Sequence, residues 1–134
     1  MAKCTKEKEL LVITDDAVGM LEAVTRVLAK AGINIIALCA YAMEGAARFH
    51  IITNDERRAK KAAEAQGWKT EERDVAVIEV HNDVGAGHAI AEKLKAQHIN
   101  IQYCYGSTSF TLSDCPCSLV VKSDNPDAVI AAVS

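Results

Sequence analysis

A stretch of 21 residues occurs twice in this chain of 134 residues. Residues 81–101 align on residues 15–35 without a gap, at an offset of 66, and seven of the 21 positions are identical. Chance would give about one or two identities at ordinary residue frequencies. The identities include a Val-Gly pair near the start of the stretch and an Ile-Asn-Ile at its end. The repeat therefore predicts two copies of one small module.

The residues around the first copy of the repeat predict alternating strands and helices. The branched apolar run Glu9–Thr14 has the size of a buried strand. Apolar residues recur at intervals of three and four in Gly19–Ala31, which is typical of an amphipathic helix, and Gly32 is suited to end that helix. Two strands at 34–43 and 47–53, a helix capped by Asn54 or Asp55, and a polar strand at 68–73 follow. The order is β-α-β-β-α-β.

The second copy repeats this order but stops early. Asp74–Val80 reads as its first strand, and Asn125 with Pro126 makes a good helix start near its end. The given sequence ends at Ser134 inside that helix, so no fourth strand follows. Since an open strand edge tends to pair, we expect a swapped or neighbouring strand to fill it, or a longer natural chain.

Composition and charge restrict the class of protein. The net charge of −3 and the small number of aromatic residues argue against a nucleic-acid partner. No apolar run is long enough to span a membrane, and the charged start is unlike a secretory signal. Five cysteines without an export signal are expected to be reduced thiols. These features predict a cytoplasmic protein with no membrane association.

The repeated motif resembles the ACT domain family of small ferredoxin-like regulatory modules. Asp16, Gly19 and Leu21 match the family's first strand–helix loop, although Val18 stands where proline is common. The "GINI" of residues 32–35 and the "HINI" of residues 98–101 match its helix-to-strand junction. The resemblance implies an α+β fold of two ferredoxin-like βαββαβ modules, residues 7–73 and 74–134. Each would have an antiparallel sheet with helices on one face, the second lacking its own fourth strand.

The same resemblance implies a function for a stand-alone tandem ACT-repeat protein. Such a chain would be a non-enzymatic sensor that binds a small ligand, most often an amino acid, where two modules meet. It would need no cofactor and no metal. A homodimer and a regulated enzyme partner are expected, the dimer also because the second copy lacks an edge strand.

Family members contact their ligand through the loop between the first strand and first helix, and through a second strand. Carried over by position, the candidate ligand-binding residues of the first copy are Asp15, Asp16, Ala17, Val18, Gly19, Met20 and Asn34. Those of the second copy are His81, Asn82, Asp83, Val84, Gly85, Ala86 and Asn100.

The physical chemistry of the first loop agrees with this assignment. The unpaired N–H groups at a helix start suit the carboxylate of a free amino acid, and Gly19 allows close approach. Asp15 or Asp16 would hold the ammonium group, whereas both would repel a phosphate. The alternative is structural, because Asp16 and Asn82 could simply cap their helices.

Two other functions remain open from the sequence. Cys115 and Cys117 form a Cys-x-Cys pair that could bind a soft metal or act as a redox couple. Against this, a structural zinc site needs four ligands, and the other cysteines and histidines are scattered. The chain could also be a structural or regulatory subunit of an enzyme complex that binds no ligand.

Overall fold

The computed structural model of the protein describes residues 2–107 and 116–134, and their contacts divide the chain into two units. The first unit is Lys8–Arg73, and the second unit combines Met1–Glu7 with Asp74–Ser134. The described elements are β1 Lys3–Asp15, α1 Met20–Lys30, β2 Ile35–Met43, β3 Ala46–Thr53, α2 Glu56–Ala65, β4 Lys69–His81, α3 Ala86–Ala96, β5 Tyr103–Ser107, β6 Pro116–Lys122 and α4 Pro126–Val133.

The first unit has the predicted ferredoxin-like order. Its strands lie in the order β2-β3-β1-β4, with β3 antiparallel to both β1 and β2. Alternate residues of β1 and β3, such as Val12 and Phe49, pack against α1 and α2. Val24 and Leu28 of α1 and the alanines of α2 complete this core. Both helices thus cover one face of the sheet, as an amphipathic helix and a half-buried strand require.

The second unit has the same order of elements, but one of its strands comes from the start of the chain. Its strands lie in the order β1-β4-β6-β5, so the start of β1 occupies the place of the fourth strand. Ala2 and Cys4 pack against a core that includes Ile78, Leu94 and Val129. Lys6 adds an ion pair to Asp127 at 3.5 Å. The beginning of the chain therefore supplies the fourth strand of the second unit.

Two predicted strand boundaries are wrong. Residues 68–73 and 74–80 form one strand, Lys69–His81, and β1 begins six residues before the predicted Glu9. Residues 3–8 carry mainly charged, exposed side chains. They show neither the apolar run nor the two-residue alternation that predicts a strand. A strand at a sheet edge needs no apolar face, and charge there opposes unwanted pairing.

The start of the second helix in each copy was predicted correctly. Asp55 and Asn125 cap α2 and α4, and their side chains accept hydrogen bonds from the backbone of Arg58 and Ala128 at 3.1 Å. Pro126 is the first helical residue of α4.

Among residues 2–107 and 116–134, every helix is too short or too polar to cross a bilayer.

Candidate functional site

Residues 15–19, which are the last residue of β1 and the loop that leads to α1, are called loop 1. Gly19 is the N-cap of α1 and has φ +91°, a left-handed conformation that L side chains rarely adopt. No side chain caps this helix, and an added Cβ at Gly19 would meet nothing within 4 Å. The N–H of Met20 donates to Ala17 O at 3.4 Å, so the next N–H groups, those of Leu21 and Glu22, are the ones suited to bind an anion.

The loop between β4 and α3, residues 81–85, is called loop 2 and has the same backbone geometry. Gly85 is the N-cap of α3 with φ +86°, and this helix too has no side-chain cap. The preceding valines, Val18 and Val84, are fully exposed in both loops, at 107% and 108%. The repeat thus preserves a left-handed glycine and a protruding apolar side chain.

The structural alternative for Asp16 and Asn82 is wrong. Neither residue is an N-cap, because α1 and α3 begin after Gly19 and Gly85, three residues later. Asp16 is exposed in loop 1, and Asp15 is the exposed last residue of β1. Two carboxylates therefore lie beside a helix start that has no side-chain cap.

Asn34 and Asn100, the other candidate residues, lie away from the loops of their own units. The backbone N–H of Asn34 donates to Asn54 Oδ1 at 3.0 Å, and Asn34 O accepts from Asn54 N at 3.1 Å. The register pairs Ile35 with Thr53 at this end of β2, whereas Met43 pairs with Ala46 at the end near Asp15. The length of β2 thus separates Asn34 from loop 1, and Asn100 occupies the equivalent junction before β5.

The face of the first unit's sheet opposite its helices contains a polar network that the sequence did not reveal. Glu9 and His50 are buried, and Glu9 Oε1 lies 3.0 Å from His50 Nδ1. His50 Nε2 lies 2.8 Å from the hydroxyl of Tyr41, whose ring stacks on the imidazole. Burial and the Glu9 carboxylate raise the pKa of the neighbouring Cys39 thiol. The alternation of side chains along β3 predicts that His50 and Phe49 lie on opposite faces of the sheet. Only the register between β1 and β3 brings Glu9 next to His50.

The edge strand β2 exposes an uncharged surface. All nine residues, Ile35–Met43, lack charge, and Ile36, Tyr41 and Met43 are 63%, 40% and 45% exposed. At the opposite edge of the first unit, residues 69–73 read Lys-Thr-Glu-Glu-Arg. One edge is therefore protected by charge, and the other is suited to pairing.

The second unit has a left-handed histidine where the first has a glycine. His98 has φ +54°, and Gly32, its counterpart in the repeat, has φ +74°. His98 borders a depression of about 540 Å³ on α3, together with His88, Ala91, Glu92, Lys95 and Ala96. None of the candidate ligand residues borders it.

The cysteine hypothesis is only partly covered by the structure. Cys115 lies outside the described residues, and Cys117 is a half-buried free thiol whose Sγ lies 3.9 Å from His81 O. Within residues 2–107 and 116–134, no three His, Cys, Asp or Glu side chains are grouped to hold a metal ion.

The fold and its twin loops define a tandem of ferredoxin-like modules. The family of ACT domain pairs matches residues 6–133, and the chain belongs to this family. ACT domains are regulatory rather than catalytic modules, so a regulatory role follows from membership.

Solved structures agree with this assignment. The chain is similar to a protein from Bacteroides thetaiotaomicron with 27% identity and a TM-score of 0.86, covering 97% of this chain and 88% of that one. It is also similar to the ligand-free regulatory subunit of aspartate kinase from Thermus thermophilus, with 16% identity and a TM-score of 0.72, covering 99% and 95%. The aspartate kinase regulatory subunit from Thermus flavus has 16% identity and a TM-score of 0.66, covering 98% and 94%. At 16% identity the likeness shows the fold. No curated protein matches the chain.

Proposed function

We propose that this protein is a non-enzymatic regulator that binds a free amino acid at loop 1. The observation that carries the proposal is the start of α1, which has no side-chain cap and follows the left-handed Gly19, beside Asp15 and Asp16. A zwitterion needs an anionic and a cationic partner within a few ångströms of each other. Backbone N–H groups with neighbouring carboxylates meet that need, and a phosphate would be repelled.

The amino-acid class is also supported by the fold relatives. Two of the solved structures are regulatory subunits of aspartate kinase, an enzyme of amino-acid metabolism by its name. A related role for this chain would be to bind an amino acid in the cytoplasm and regulate an enzyme partner. Bound ligand shifts such a regulator between two states only by its difference in affinity for them.

We further propose that the protein is a homodimer that pairs through β2. A symmetric antiparallel pair of β2 strands would bring no like charges together, because the strand has none. The exposed Ile36 and Leu38 would be covered in the pair. The argument from an open edge beside β4 no longer applies, since the start of β1 lies there.

A thermal-shift screen of the twenty amino acids against the full chain tests the function. An amino acid present at 100 times its dissociation constant should add about 2.7 kcal/mol to the free energy of unfolding. Loss of that shift in Asp16→Ala, with retention in Asp83→Ala, which removes the acidic residue of loop 2, would support loop 1. No shift with any amino acid would favour a structural subunit that binds no ligand.

A further inference from the structure

The last two rows of side chains on the open face of the first unit's sheet differ from their counterparts in the second unit. Ile13, Arg48 and Tyr41 form one row across β1, β3 and β2, and Asp15, Ala46 and Met43 form the next. These residues alternate with core residues such as Val12 and Phe49, so they lie on the face away from the helices. The second row ends at loop 1.

Arg48 has an unusual environment in these rows. Its Nε is buried and has no hydrogen-bond partner among the described residues. Burying a guanidinium N–H without an acceptor is unfavourable, and most buried polar atoms in folded proteins are paired. An acceptor supplied by a ligand would remove this cost.

Asp15 lies on the same face as Arg48, one row further along. Diagonal neighbours of this kind have backbones about 7–8 Å apart, a distance that a long side chain such as arginine can span. No ion pair or hydrogen bond joins Asp15 to Arg48 in the part of the chain that the structure describes. The small side chain of Ala46 beside Asp15 leaves space between the two charges.

We infer that Arg48 and Asp15 together hold the zwitterionic head of an amino acid, Arg48 binding its carboxylate and Asp15 its ammonium group. This inference rests on the proposed function and names the cation that loop 1 itself lacks. An arginine side chain binds a carboxylate through two parallel N–H donors, which a lysine does not reproduce, and Arg48 would act together with the N–H groups at the start of α1. The exposed Tyr41 and Met43 flank the space and would contact the ligand's side chain.

The second unit lacks both charges at the matching positions. Its two rows contain Glu79, Ser118 and Ser107, followed by His81 opposite Pro116. Ser118 therefore stands where Arg48 stands, and an exposed Glu79 replaces Ile13. Although loop 2 copies the backbone of loop 1, Glu79 would repel a carboxylate and Ser118 offers it no positive charge. One ligand per chain, in the first unit, is the expected stoichiometry.

Calorimetric titration of the full chain tests the inference with three probes. They are the amino acid that gives the largest thermal shift, its methyl ester and its N-acetyl derivative. The wild-type chain should bind the amino acid at least about tenfold more tightly than either derivative, since each loses one charge-assisted contact. Arg48→Gln should bind the amino acid and the ester with equal, weak affinity, and Arg48→Lys should recover part of the difference.

Asp15→Asn gives the complementary result, because it should lose the preference over the N-acetyl derivative and keep the preference over the ester. Arg57→Gln, an exposed arginine of α2, is the matched control and should behave as wild type. Circular dichroism verifies that each variant is folded. If Arg48→Gln weakens the binding of all three probes equally, or of none, the inference is wrong while the proposed amino-acid-binding function stands. If no amino acid binds the wild-type chain, both the proposed function and the inference fail.

Discussion

Glu9 and His50 form a buried pair, with the carboxylate Oε1 of Glu9 3.0 Å from the imidazole Nδ1 of His50. A carboxylate removed from water needs hydrogen bonds to offset the loss of hydration. Glu9 is on β1 and His50 on β3, and Tyr41 of β2 binds the other imidazole nitrogen. The network thus joins three strands of the first unit.

Replacing His50 should destabilise the first unit strongly. We expect His50→Ala to lower the free energy of unfolding by about 3 kcal/mol or more, because it removes a partner of a buried carboxylate. Tyr41→Phe should cost only about 1 kcal/mol, the value of one ordinary hydrogen bond. Urea unfolding measures both. A double variant Glu9→Leu/His50→Leu that is less stable than His50→Ala would contradict this explanation.

His98 occupies a backbone conformation that favours glycine. His98→Gly should therefore stabilise the protein by up to about 1 kcal/mol, since it relieves the left-handed strain of a residue with a Cβ. Gly32→Ala, at the matching position of the first copy, should destabilise by a similar amount. Thermal unfolding of the two variants provides the comparison, and equal signs of the two effects would refute it.

The start of the chain should stabilise the second unit, although the residues that follow it in sequence belong to the first unit. Deleting residues 2–7 removes the strand beside β4 and the packing of Ala2 and Cys4. We expect amide hydrogens of residues 75–81 to exchange faster, by about tenfold or more, because their strand becomes an edge. Exchange in β3 of the first unit serves as the internal control. Unchanged protection in residues 75–81 would show that the strand from the start of the chain contributes little.

A charge in β2 should disrupt the proposed dimer. Ala40 is exposed near the middle of the strand, so Ala40→Lys would place two like charges close together in a symmetric pair. Light scattering coupled to size exclusion should then report a monomer. Thr5→Lys, on the charged start of β1, is the control and should leave the mass unchanged. A wild-type chain that is monomeric at all concentrations would exclude the dimer.

The thiols should differ in reactivity at neutral pH. Burial raises the pKa of Cys4, and burial together with the Glu9 carboxylate raises that of Cys39, so both have less thiolate. Cys104 is exposed on β5. Timed alkylation followed by mass spectrometry should find Cys104 modified before Cys4 and Cys39, and the reverse order would contradict the structure.

Local sequence signals predicted much of the fold. The spacing of Val24 and Leu28, the caps Asp55 and Asn125, and the glycines that end helices each act within one or two turns of chain. The repeat then extended these predictions to the second copy, and with them the β-α-β-β-α-β order and the two twin loops. Loop 1 and loop 2 could be located in this way because their glycines recur at the same position.

Tertiary structure alone decided which distant residues meet. The start of β1 reads as a charged, irregular segment, and only contacts place it in the second unit, 67 or more residues from its partners in sequence. Likewise, Glu9 reaches His50, and Arg48 comes one row from Asp15, because of the register between β1 and β3. Strand pairing depends on the summed burial of whole strands, which no short stretch of sequence contains. The sequence by itself therefore determined the modules and their loops. The register between β1 and β3 determined which charged side chains lie beside loop 1.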